Sequence, residues 1–114
     1  MTTEKIDECI REFTLRTCNL ESQLEATAGE CSEFANAALS YLRSSHYGYI
    51  SEDQALERLA EEIGDVENMI TGIKAMINQY SKSFEDKIIS SRENKVRQWG
   101  SRIESDCGVK VNLD

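Results

Sequence analysis

The chain contains no proline and only six glycines in 114 residues. Proline breaks helices and glycine weakens them, so little here interrupts a helical run. The commonest residues (Glu, Ala, Ser, Ile, Leu) mostly favour helix, which points to an all-α protein with few sharp turns. Histidine is nearly absent. The single His46 cannot complete a zinc set with Cys9, Cys18, Cys31 and Cys107, and no two of these form a CxxC pair. Cys9 and Cys31 fall on apolar stripes and read as buried free thiols, which suits a reducing compartment. No apolar run approaches membrane-spanning length, and Met1-Thr2-Thr3-Glu4-Lys5 has no apolar signal core. A soluble, cytoplasmic protein is expected. Positive charge is also scarce. The net charge of −8 opposes general binding to DNA, RNA or an anionic membrane. A phosphorylated ligand whose contact runs through metal ions stays open. Between Lys87 and Arg102 the balance inverts: Lys87, Arg92, Lys95, Arg97 and Arg102 face the single acid Glu93, a local +4 that leaves −12 on the rest.

The length suits one domain over residues 1–114, with a core from about 20 to 105 and an irregular tail over 106–114. Hydrophobic periodicity predicts four helices. The first, Thr3 to Thr17, carries Ile6, Cys9, Ile10 and Phe13 and is short enough to act as a lid or arm. The second, Glu21 to Ser44, has an apolar face of Leu24, Ala28, Cys31, Ala35, Ala38 and Leu42. A second face of that helix holds Ala26, Glu30, Glu33, Ala37 and Tyr41: small residues broken by two acids. His46 to Ser51 interrupts the pattern. Ser51 reads as an N-cap, with Glu52 and Asp53 suited to the helix dipole. The third helix, Glu52 to Tyr80, repeats Leu56, Leu59, Ile63, Val66, Ile70, Ile73, Ile77 and Tyr80 at alternating spacings of three and four, a heptad seam. Met69, Gly72 and Met76 form another strip beside Glu62 and Asp65. A helix apolar on two sides in so short a chain implies contact with a second subunit. The fourth, Glu85 to Ser105, uses Ile88, Ile89, Val96, Trp99 and Ile103, with Trp99 expected in the core.

The candidate chemistry lies in two acidic pairs, Glu30/Glu33 and Glu62/Asp65. Positions i and i+3 share a helix face, so two such pairs on facing helices would bring four carboxylates to one point. Clustered, partly buried carboxylates repel one another, and a hard divalent cation relieves that cost. Oxygen-only ligands suit Mg²⁺ or Mn²⁺. Acids at this spacing also mark ordinary solvated faces, but here they sit among small and apolar residues. Glu61 and Glu67 point elsewhere and read as surface.

The local sequence around these pairs resembles the all-α nucleoside triphosphate pyrophosphohydrolases of the MazG type. Gly29-Glu-Cys-Ser-Glu-Phe-Ala-Asn-Ala-Ala-Leu is similar to that family's first metal helix. Leu59-Ala-Glu-Glu-Ile-Gly-Asp-Val-Glu-Asn-Met is similar to its second. Glu93-Asn-Lys-Val-Arg-Gln-Trp-Gly-Ser-Arg resembles its downstream basic helix. The resemblance implies a four-helix bundle-like fold completed by homo-oligomerisation, as dimer or tetramer. It implies Mg²⁺ (or Mn²⁺) on Glu30, Glu33, Glu62 and Asp65, with Glu33 orienting or deprotonating the attacking water. It further implies Asn94, Lys95 and Arg97 on the substrate phosphates and release of pyrophosphate from a (d)NTP, in nucleotide clean-up. Tyr41 shares a face with Glu30 and is a candidate neighbour of the nucleotide. Two features depart from the family: Gly29 stands where a second Glu is frequent, and 28 residues separate Glu33 from Glu62. That gap holds three tyrosines and His46 and is a candidate substrate-facing loop. Two other readings are a non-catalytic helical interaction protein, and a related all-α dUTPase or phosphoribosyl-ATP pyrophosphohydrolase.

Overall fold

The first three helices begin where a short polar side chain satisfies a free backbone N–H. In the computed structural model, α1 (Thr3–Thr17) starts with Thr2 Oγ1 accepting from Lys5 N at 3.1 Å. For α2 (Leu20–Tyr47), Asn19 Oδ1 accepts from Ser22 N at 2.8 Å. At the start of α3 (Glu52–Asn78), Ser51 Oγ accepts from Gln54 N at 3.1 Å, and Gln54 Oε1 accepts from Ser51 N at 3.3 Å. That reciprocal pair is a capping box. The fourth helix, α4 (Phe84–Cys107), follows Ser83. Both α2 and α4 run past their expected ends because nothing stops them before Gly48 and Gly108, each left-handed at φ 67°. Every residue is described except Tyr49, and the side chains of Ser45 and Tyr47 are also outside the description. The gap between Glu33 and Glu62, expected as a candidate loop, is therefore mostly helix, with α2 running to Tyr47 and α3 starting at Glu52; Tyr49 lies outside the described residues.

Among the described residues the chain has four helices and no strand, the expected all-α class. It divides into two compact units, Met1–Gln79 and Tyr80–Asp114.

In the first unit α2 and α3 form an antiparallel hairpin. Tyr41 Oη donates to Glu52 Oε1 at 3.2 Å near the turn, and Arg58 Nη1 donates to Ser40 Oγ at 3.2 Å. At the far end Gln23 Nε2 meets Met69 Sδ at 3.4 Å. The hairpin closes on small residues: Ala37 and Ala55 are fully buried, and Gly72 and Met76 are buried as well. α1 docks at Gly72. A Cβ there would stand 2.7 Å from Gln23 Nε2 and 2.8 Å from Thr14 Oγ1, so glycine is what permits the approach. Thr14 and Gln23 are both buried.

The inward faces differ from the expected ones. Leu24 and Leu42 on α2, and Leu56, Ile63 and Ile70 on α3, remain 40–53 % exposed. Cys31 is exposed and Cys9 only half-buried. The physical reason is closeness of approach: alanine and glycine let two backbones come together, whereas a leucine seam holds them apart. On each helix the outer apolar stripe lies roughly a third of a turn from the inward face, and antiparallel packing turns both stripes to one broad side of the hairpin. Gly72, where α1 docks, belongs to the opposite side. No large side chain is fully buried among the described residues.

In the second unit the tail from Gly108 has no regular structure, as expected, but it folds back on α4. Leu113 Cδ1 would lie 3.2 Å from a Cβ on Gly100, the buried residue of that helix. Val111 N donates to Glu104 Oε1 at 2.9 Å. Trp99, expected in the core, is exposed.

Candidate metal centre

The α2–α3 pairing brings Glu30 opposite Glu62 and Asp65. One carboxylate oxygen from each of the three lies within 4.8 Å of the others. Glu30 and Glu62 are half-buried and Asp65 is exposed. Glu30 Oε2 and Glu62 Oε2 are screened from solvent and have no hydrogen-bond partner. A screened carboxylate oxygen without a donor is costly and calls for a cation or a proton.

The electrostatics agree with that geometry. Desolvation holds the Glu30 carboxyl above its ordinary range, and the charges of Glu33, Asp65 and Glu62 push it further. Glu62 is raised by desolvation first and then by Glu33 and Asp65, while Arg58 pulls it down. The donor set is all oxygen and carries several negative charges, which fits Mg²⁺ or Mn²⁺.

The other expected ligand, Glu33, stays exposed beside the cluster, and its oxygens are not among the three that converge. It is near enough to dominate the charge effects on Glu30 and Glu62. Glu61 and Glu67 are on the surface, as expected.

Tyr41 lies at the turn end of the hairpin. Its hydroxyl is engaged by Glu52, which raises its pKa. It stands eleven positions after Glu30, about 16 Å along the helix. His46 is exposed in the last turn of α2.

Asn94, Lys95 and Arg97 belong to α4 of the second unit. They do not share one surface. Asn94 and Lys95 line a shallow groove with Asp86, Lys87 and Gln98. Arg97 lines another with Ile89, Val96 and Leu113, and its Nη2 pairs with Glu93 Oε1 at 3.2 Å.

Sequence reasoning missed Arg58 and Ser40. Arg58 precedes Glu62 by four residues on α3, a spacing that puts both on one face. That spacing was a usable signal; the bond from Arg58 to Ser40 on the other helix had none.

No protein-family model matches the chain, no curated protein is detectably similar to it, and no solved structure matches it.

Proposed function

We propose that the α2–α3 cluster binds Mg²⁺ or Mn²⁺ and that the protein is a nucleotide pyrophosphohydrolase of the MazG type, converting a (d)NTP to a (d)NMP and pyrophosphate. The observation that carries the metal reading is the convergence of Glu30, Glu62 and Asp65 with two screened, unpartnered oxygens. The substrate class rests on the resemblance of the two acidic motifs and the Asn94-Lys95-Val96-Arg97 segment.

The bound ion would supply charge neutralisation at the phosphates and a more acidic water. The chain's own residues divide the remaining work. Glu30, Glu62 and Asp65 hold the site. Glu33, exposed at its edge, orients a water toward the α-phosphorus and accepts its proton. The water oxygen forms the new bond to phosphorus, the α–β anhydride bond breaks, and pyrophosphate leaves.

A second copy completes the core. The broad side of the hairpin presents Leu24, Leu42, Leu56, Ile63 and Ile70 to solvent, and the first unit buries few apolar side chains. A homodimer or homotetramer covers that surface and yields the bundle. The same exposed face supports the alternative of a non-catalytic helical interaction module, which would not need the acids to bind metal. No described helix is long and apolar enough to cross a membrane. The role proposed with this reaction is clearing unwanted nucleotides in the cytoplasm.

The test is pyrophosphate release from a panel of canonical and modified NTPs and dNTPs, including dUTP, and from phosphoribosyl-ATP, with Mg²⁺ and with EDTA. Metal-dependent release from one or a few substrates is expected, and the substrate that reacts separates the family readings. No release from any substrate would leave the interaction module as the better account.

A further inference from the structure

The turn end of the α2–α3 hairpin carries a second constellation, built from donors rather than acids. Ser40, Arg43 and Ser44 lie three and four residues apart on α2, so they share one face. With Ile50, just past Gly48, they line a cleft of about 180 Å³. Arg58 reaches this face from α3: its Nη1 donates to Ser40 Oγ at 3.2 Å. Two arginines from two helices therefore flank Ser40.

What the cleft still offers a ligand is chiefly N–H and O–H. Thr17, Thr27 and Ser44 each turn their hydroxyl proton onto a carbonyl of their own helix. Ser40 does not. Its Oγ accepts from Arg58, and among the described residues its proton has no acceptor. Arginine only donates, and among the described residues no carboxylate comes within ion-pair distance of Arg43 or Arg58. Of the acids at this end, Glu52 is engaged by Tyr41 Oη, and Asp53 and Glu57 are exposed. Two positive charges thus stand together in a chain of net charge −8.

Size and charge set the ligand. Two guanidinium forks and one hydroxyl supply more donors than the two oxygens of a carboxylate use well. A phosphate group presents three terminal oxygens and up to two negative charges. The cleft has room for one such group, with the rest of any larger molecule left in solvent. Ser40 stands ten positions after Glu30, about 15 Å along α2, so a phosphate here is separate from one held at the acidic cluster. We propose that Ser40, Arg43 and Arg58 form a phosphate-binding cleft at the turn end of the hairpin, for free phosphate or the terminal phosphate of a monoester. The two arginines bind its oxygens through their forks. Ser40 donates one bond and holds Arg58 in direction. The cleft requires neither the metal site nor the proposed reaction.

The experiment is calorimetric titration of the full chain, at low salt in EDTA, with inorganic phosphate, adenosine monophosphate and acetate. Saturable binding of phosphate or the monophosphate is expected, about tenfold or more tighter than acetate. Arg43→Ala and Arg58→Ala should each weaken it by about tenfold or more, the scale of a lost charged hydrogen bond. Arg58→Lys should recover only part of the affinity, since a point charge lacks the fork. Ser40→Ala should cost a few-fold. Arg16→Ala, on the helix that docks at the far end of the hairpin, should change nothing. If Arg58→Ala proves unfolded by circular dichroism, Arg43→Ala and Arg58→Lys decide. Tighter binding of the monophosphate identifies a monoester as the ligand, and the reverse identifies the free ion. The proposal is overturned if neither binds saturably, if acetate binds as tightly as phosphate, or if folded Arg43 and Arg58 variants bind like the wild type. None of these results bears on Mn²⁺ at the acidic cluster.

Discussion

Replacing Gly72 with alanine is expected to destabilise the first unit, although alanine is the better helix former. In the middle of α3 the exchange alone should gain about 1 kcal/mol of helix propensity. Against this, the new methyl carbon would sit 2.7 Å from Gln23 Nε2, 2.8 Å from Thr14 Oγ1 and 3.1 Å from Thr14 Cγ2. Gln23 can swing its flexible end away. Thr14 cannot do so cheaply, because it is buried, β-branched and attached to the docked α1. Overpacking of this kind costs about 1–3 kcal/mol. The net expectation is a loss of about 1 kcal/mol, or about 4–8 °C in Tm for a domain of this size. The assay is urea denaturation followed by circular dichroism, with Thr14→Ala and the double variant completing a cycle. Removing Thr14 Oγ1 and Cγ2 should relieve the clash, so the double variant should be more stable than the two single losses imply, by about 1 kcal/mol. A Gly72→Ala chain that gains the full propensity increment, with no coupling to Thr14, would refute the docking of α1 on α3 at this point.

Metal-free protein should lose stability as pH rises from acid toward neutral. Glu30 and Glu62 have raised folded pKa values against an ordinary 4.5, so their contribution is fully present below that value and is lost as pH passes the folded value. Melting in EDTA across this range checks the sign, and saturating Mn²⁺ should remove the trend near neutrality; a metal-free Tm that rises with pH would count against the crowded cluster. Ile70→Asp, alone or with Ile63→Asp, should lower the solution mass measured by light scattering toward that of one chain, because both side chains lie on the exposed broad side; an unchanged mass would remove that side as the self-association surface. Leu113→Ala should release the tail from Gly100 and speed amide exchange at Val111, whose N–H is held by Glu104; unchanged exchange would show that Leu113 does not anchor the tail.

Much of the architecture was legible because its signals are local. Ser51 followed by Glu52 and Asp53 marks a helix start from side-chain chemistry alone, and the structure begins α3 there. The helix periodicity located all four helices. Their ends were less legible, since a stop depends on whether a glycine turns left-handed, as Gly48 and Gly108 do. The choice of inward face was hidden for a different reason. Leu24, Cys31 and Leu42 make the most apolar stripe of α2, but the hairpin closes on Ala37 and Ala55, where backbones approach most closely. Which stripe a helix buries depends on its partner, and that is not encoded in one helix.

The candidate site divides in the same way. Spacing of three residues brought Glu62 and Asp65 into one cluster with Glu30, as expected. The same spacing leaves Glu33 on the edge, because i and i+3 are offset by roughly 60° around the axis and a packed partner covers only part of that arc. Lys95 and Arg97 are two apart, a spacing that does not share a face, and they line different grooves. Arg58 and Ser40 meet only through tertiary packing, so their pairing was not legible at all.

The most direct test of the metal centre is Mn²⁺ titration of the wild-type chain and of Asp65→Asn and Glu62→Gln, followed by calorimetry or electron paramagnetic resonance. Saturable binding by the wild type is expected, lost or weakened by about tenfold or more in each folded variant. Wild-type protein that binds no Mn²⁺, or variants that bind it as well as the wild type does, would contradict a cation site built from Glu30, Glu62 and Asp65.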